Sequence, residues 1–259
     1  MKYLVLIFLL LIFPLIAETA VVGKAVEYRD GEAVLEGYLA YDDTIQGKRP
    51  GILVVHEWKG LNDYAKGRAE QLAQLGYVGF AIDMYGKGIY AKDHEEAGKL
   101  SGIYRNDRNL MRQRAKAAYD VLKNNPLVDP DKIAAIGYCF GGTTVLEMAR
   151  AGFDLAGVVS FHGALDTPML AQPEVIRAKV LVMHGADDSF VGAEKVTAFQ
   201  TEMRQANADW EVVIFGDAVH SFTVPEAGDD KSKGAAYNER ADKRSWEIMQ
   251  QFFKEIFSS

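Results

Sequence analysis

The chain has one cysteine in 259 residues. No intramolecular disulfide can form, so the fold must rest on its apolar core, for which this length is ample. Proline is also sparse, at seven. No Pro/Gly/Ser-rich linker, low-complexity tract or repeat breaks the chain, and a single domain is expected over residues 21–259. Basic residues are outnumbered, with 29 Lys and Arg against 36 Asp and Glu and a net charge of −7. That balance argues against nucleic acid or anionic lipid as a main partner, because both require a basic surface. No apolar run reaches the roughly 20 residues of an ordinary membrane-spanning helix. The longest, Tyr3 to Ile16, follows Lys2 and precedes Ala17. It has the length of a signal-peptide apolar region. Residues 1 to about 20 are therefore expected to be an export signal, cut after Ala17 or Ala20, that directs a monomer to the periplasm or the exterior.

What is present is a regular alternation. Val21 to Arg29 and Ala33 to Tyr41 read as strands joined at Asp30-Gly31. Gly51 to His56 is a continuously apolar run of the kind buried on both faces of a sheet. Asn62 or Asp63 can cap a helix that Gly76 stops, and Tyr77 to Ile82 is the next strand. Arg105 to Asn124 reads as one long amphipathic helix. Ile133 to Ile136 is a strand, and a helix follows to about Ala151. Further strands are expected at Leu155 to Phe161, Val180 to Met183 and Glu211 to Phe215, with helices at Glu194 to Ala206 and Ala236 to Phe257. Buried strands alternating with helices imply a mainly parallel sheet with helices on both faces, an α/β fold.

The chemistry concentrates at Gly137-Tyr138-Cys139-Phe140-Gly141, between a strand and a helix. This is a nucleophile elbow with cysteine at its apex. A tight strand-to-helix turn strains the backbone, and flanking side chains would clash, hence the glycines. The following helix points its N-terminus at the sulfur and favours thiolate. The Phe140 N–H would face a developing oxyanion.

Five histidines are candidates for the base: His56, His94, His162, His184 and His220. On this fold the order is nucleophile, acid, histidine. His220 lies late, in a loop after the last strand, and fits that order. His56, His162 and His184 follow strands directly and suit structural or substrate-shaping roles. His94 lies among charges and reads as part of a solvated face. The acid should follow the Val180–Met183 strand, where Asp187 and Asp188 stand side by side and spacing does not choose between them. No ligands with metal-site spacing accompany His184, so neither metal nor other cofactor is expected.

The stretches His56-Glu57-Trp58-Lys59-Gly60-Leu61-Asn62-Asp63, Gly76 to Gly86, Gly137 to Gly142, Gly185 to Val191 and His220-Ser221-Phe222 together resemble the dienelactone hydrolase family of α/β hydrolases. The resemblance implies an α/β-hydrolase fold and a Cys139–His220–Asp188 triad, since the family's Gly-x-x-Asp pattern falls on Gly185 and Asp188. It implies a glutamate near the thiol, Glu57, and a second oxyanion donor, the Trp58 N–H. It also implies substrate contacts from the Asp83-Met84-Tyr85-Gly86 segment, with Tyr85 in it and Lys87 where relatives acting on dienelactone carry an arginine. A second family arginine is replaced by Val224. The expected activity is hydrolysis of small carboxylic esters or lactones through a thioacyl intermediate. A thiol-redox protein or a non-catalytic binding protein on the same scaffold is the rival expectation.

Overall fold

The computed structural model describes residues 21–258, so the expected export signal lies outside the described residues. Strands β1 (Val21–Asp30) and β2 (Ala33–Asp42) form the hairpin. Its turn is Gly31-Glu32, one residue later than the sequence suggests, with Gly31 at φ 57 where a side chain would be strained. The remaining elements follow as β3 (Arg49–Val55), α1 (Asp63–Gln74), β4 (Val78–Ile82), α2 (His94–Asn106) and α3 (Arg108–Lys123). Then come β5 (Val128–Tyr138), α4 (Phe140–Arg150), β6 (Gly157–Phe161), β7 (Lys179–Gly185), α5 (Ala193–Gln205), β8 (Trp210–Phe215) and α6 (Glu239–Phe257).

The sheet has eight strands in the order β1-β2-β4-β3-β5-β6-β7-β8. β1 and β2 are antiparallel, and every pairing from β4 to β8 is parallel. Parallel strands need crossovers, and the helices supply them on both faces. One face packs α1 and α6 through Ala65, Ala69, Leu72, Met249 and Phe253. The other packs α3, α4 and α5 through Met111, Leu122, Val145, Phe199 and Met203. Each such large apolar side chain contributes roughly 1.5–3 kcal/mol on burial, and these layers sandwich the fully buried runs of β3 and β4.

Two departures from the sequence reading have local causes. The helix expected from Arg105 begins at Arg108, because Asp107 leaves helical geometry (φ −127, ψ 91) and its side chain accepts the Leu110 N–H at 3.0 Å. Before it lies α2, which the charge-rich segment around His94 concealed. Its N-cap is Asp93, which accepts the Glu96 N–H at 2.9 Å. The closing helix starts at Glu239 rather than Ala236, because Asn238 caps it through the Ala241 N–H.

This topology positions the site. β5 is central, with β3 and β6 beside it and β7 next to β6. All four run parallel, so their carboxyl ends converge on one rim of the sheet.

Candidate active site

Cys139 joins β5 to α4 at φ 53, ψ −110, a conformation that L-residues rarely adopt. Such strain costs about 1–3 kcal/mol and persists only where the surroundings enforce it. Here they do. A Cβ on Gly137 would meet the Gly141 carbonyl oxygen at 2.0 Å, and one on Gly141 would meet the Val55 oxygen at 2.1 Å. Both glycines are thus required by close backbone approach, as the elbow motif predicts. The Cys139 carbonyl accepts the Thr143 N–H down the helix axis. In a trans peptide the next N–H points the opposite way, so the Phe140 N–H faces outward from the N-terminus of α4.

The loop after β3 is clamped through its carbonyls. Glu57 O accepts from Gly60 N–H and from the His56 ring at Nδ1, Trp58 O accepts from the Tyr85 hydroxyl at 2.8 Å, and Lys59 O accepts from Ala91 N–H. With the Glu57 carbonyl fixed inward, the trans peptide turns the Trp58 N–H away from it. His56 is buried, and its Nε2 accepts the Met84 N–H, so the proton sits on Nδ1. Burial pushes its pKa down and keeps it neutral. It is a structural residue, as its place at a strand end suggests.

His220 and Asp188 meet at 2.9 Å, Nδ1 to Oδ2. The other oxygen of Asp188 accepts the Phe190 and Val191 N–H groups, which fixes the carboxylate in place. Asp188 is buried and Asp187 is exposed, so the structure resolves the choice that spacing left open. On its other side His220 lies near enough to the Cys139 side chain to feel its charge. Burial works against a charged His220, yet Cys139 and Asp188 outweigh it and raise its pKa from the ordinary 6.5 to about 10. Glu57 is brought to the same place, where its Oε1 accepts from Ser221 Oγ at 3.2 Å. Burial raises its pKa, opposed mainly by the positive charge of His220.

Tyr85 lies beneath this loop rather than open to a ligand. It is buried, with its ring on His56, Tyr104 and Phe140 and its hydroxyl holding Trp58. Asp83 makes the segment's turn by accepting the Tyr85 and Gly86 N–H groups, and its other oxygen accepts from Glu36 N–H on β2. Lys87, expected to contact substrate, lies beside the hairpin. Its ammonium ion-pairs with Glu27 on β1 and Glu36 on β2, both at 2.9 Å, and so is committed to the hairpin. The physical reason is opposite charge brought close by a hairpin some 50–60 residues away in sequence. Val224 is buried, in a turn closed by its N–H on Ser221 O.

Sequence reasoning missed several contributors. His94 is exposed as expected, but its ring also packs 5.2 Å from Trp58. Phe190, two residues after Asp188, is 56% exposed and stands edge-on to His220 at 5.4 Å. Behind Cys139, His162 connects to Thr223, Tyr64 and Arg68. The only hint of this in the sequence was Tyr64 and Arg68 one turn apart on α1, polar groups on a stripe otherwise apolar.

An eight-stranded, mostly parallel sheet with a nucleophile elbow at its centre defines an α/β hydrolase. Residues 35–257 match the sequence profile of the dienelactone hydrolase family, and the chain belongs to that family. Among solved structures it is similar to a dienelactone-hydrolase-like promiscuous phosphotriesterase, P91, from metagenomic libraries. The two are 43% identical, with a TM-score of 0.87 over 91% of this chain and 98% of that one. Among curated proteins it is 27% identical to a "Putative carboxymethylenebutenolidase" of Aquifex aeolicus, over 90% of this chain and 98% of that protein. It is 26% identical to a "Probable 2-oxo-3-(5-oxofuran-2-ylidene)propanoate lactonase" of a Bradyrhizobium species, over 74% and 80%.

Proposed function

We propose that this chain hydrolyses small carboxylic esters or lactones by acyl transfer to Cys139. The observation that carries the reading is the strained Cys139 elbow, with Asp188 holding the His220 imidazole at 2.9 Å near enough for Cys139 to act on its charge. His220 takes the Cys139 thiol proton, the sulfur attacks the carbonyl carbon, and the carbonyl π pair moves onto oxygen. The outward Phe140 and Trp58 N–H groups stabilise that oxyanion. When the intermediate collapses, the carbon–oxygen bond to the leaving group breaks and His220 gives its proton to the departing oxygen. A water molecule then attacks the thioester while His220 takes its proton, and the carbon–sulfur bond breaks to release the acid. Asp188 holds the ring and stabilises its charge throughout. Glu57, beside His220, adds negative charge to the imidazolium when ionised.

The substrate is argued from what surrounds the thiol. Lys87 is committed to Glu27 and Glu36, and Val224 is apolar, so neither offers a cation for an acid group. The exposed ring of Phe190 stands beside His220 instead. Neutral esters and lactones fit this better than acidic lactones, and the similarity to a phosphotriesterase makes activated phosphotriesters a second electrophile worth testing.

The test is a reducing-buffer assay of the purified chain against neutral esters, neutral lactones, acidic lactones and an activated phosphotriester. Cys139→Ala and His220→Ala should each lose at least about 10³-fold in kcat/KM. Full activity in both variants would sink the reading. Lys87→Ala should leave KM unchanged, and a rise confined to acidic lactones would restore Lys87 as a substrate ligand.

A further inference from the structure

We propose that His162 is a positioning residue that sets the Cys139 backbone and the His220 ring relative to each other; this rests on Cys139 being the nucleophile. His162 follows β6, and its N–H continues the ladder to Met183 O at 2.9 Å. Its backbone then turns to φ 41, so two adjacent strand ends carry strained residues, Cys139 and His162. The two are joined. The Cys139 N–H is shared between Phe161 O at 3.0 Å and His162 Nδ1 at 3.2 Å. A backbone N–H can only donate, so Nδ1 is the unprotonated nitrogen and Nε2 carries the hydrogen.

That Nε2–H donates to Thr223 Oγ1 at 2.8 Å. Thr223 lies three residues beyond His220, in the same loop. The Tyr64 hydroxyl also reaches Thr223 Oγ1 at 2.8 Å, and Arg68 binds Thr223 O at 3.1 Å and Asp242 at 2.6 Å. The loop bearing the base is thereby tied through one imidazole to the backbone of the nucleophile. The His162 ring also stands edge-on to His220, centroids 5.2 Å apart, while Phe190 closes on His220 at 5.4 Å. His220 is therefore held between two rings as well as by Asp188.

The arrangement requires a neutral His162, because a protonated Nδ1 could not accept the Cys139 N–H and would add a second cation beside His220. Burial keeps it neutral, lowering its pKa well below the ordinary value, reinforced by the charges of His220 and Arg68. The ring is fully buried behind the elbow and acts through its neighbours.

The experiment compares His162→Phe, His162→Asn and Thr223→Val on one neutral ester, with Cys139→Ala as the reference. Phenylalanine keeps the packing and removes both hydrogen bonds. It should lower kcat on the order of 10–100-fold while KM stays within about threefold, as for a small misplacement of reacting groups. Asparagine tolerates positive φ and puts an oxygen near the place of Nδ1, so it should recover most of that kcat. Thr223→Val, which removes the acceptor of Nε2–H with little change of shape, should lower kcat several-fold at constant KM. Wild-type kcat in folded His162→Phe, or an asparagine variant no better than phenylalanine, would overturn the inference. If His162→Phe does not fold, wild-type kcat in Thr223→Val would overturn it. Activity retained by Cys139→Ala would instead remove the nucleophile reading beneath it.

Discussion

At the scale of single residues, His220 sits between opposing influences. Its side chain is only 12% exposed, which disfavours charge, yet Cys139 and Asp188 hold its pKa near 10. A histidine whose pKa rises on folding stabilises the fold in its protonated form. That stabilisation is complete below about pH 6.5, the ordinary value, and is lost as pH rises through about 10. The melting temperature of the wild type should therefore exceed that of His220→Gln most near pH 6. The gap should narrow progressively toward pH 10, as read by thermal denaturation across that range. A gap that widens with pH would mean the sign is wrong.

Much of this residue-level site was legible in the sequence. The elbow glycines announced Cys139 because only close backbone contact demands them at that spacing. His220 followed from chain order. Spacing alone could not separate Asp187 from Asp188, and the family resemblance pointed to Asp188; in the structure Asp188 is the buried one and meets the histidine. The ion pairs of Lys87 were hidden because its position relative to a motif says nothing of the glutamates across the hairpin. His162 looked like any strand-end histidine until the strand end itself was seen to touch the nucleophile.

Among the elements, α2 and α3 show how one residue divides a helix and shapes the site. Asp107 ends α2 and caps α3 through the Leu110 N–H. Tyr104, in the last turn of α2, stacks on Tyr85 at 5.5 Å, and Tyr85 holds the carbonyl of Trp58. The loop after β3 is thus supported from a helix the sequence did not reveal. Asp107→Ala should cost about 0.5–2 kcal/mol of stability, measured by urea unfolding. Because α2 would also fray there, activity should fall more in kcat/KM than the small stability loss alone explains. A variant with unchanged urea midpoint would show that the cap is dispensable. The sequence hid α2 because its charged face is real. His94, Glu95 and Lys99 are exposed, and only Ala97, Ser101 and Tyr104 turn inward, too thin a stripe to signal a helix.

At the scale of the molecule, the lower face is held by a buried ionic cluster rather than by apolar contact alone. Glu147 on α4 is fully buried and meets Arg112 of α3 at 2.6 Å and Arg150 at 3.1 Å. Arg150 binds Glu202 of α5 at 2.8 Å and the Leu165 carbonyl. Three helices, α3, α4 and α5, are joined through these side chains, and α4 is the helix that follows Cys139. Glu147→Ala would leave Arg112 without its carboxylate and Arg150 with Glu202 alone. It should cost about 3–5 kcal/mol, measured as a shift in the denaturant midpoint. A loss under about 1 kcal/mol would mean the arginines rearrange to solvent at little cost.

The sequence by itself determined the alternating α/β architecture, the elbow and the late histidine. Each depends on local rules: buried strands read as apolar runs, and a tight turn between strand and helix demands glycine. Tertiary structure alone decided that Asp188 is buried against His220 while Asp187 is exposed, that Lys87 pairs with Glu27 and Glu36, and that His162 reaches Cys139 and the Thr223 loop. Those outcomes depend on distances between residues far apart in the chain. Such distances are set by parallel strands ending on one rim, and no local pattern encodes them.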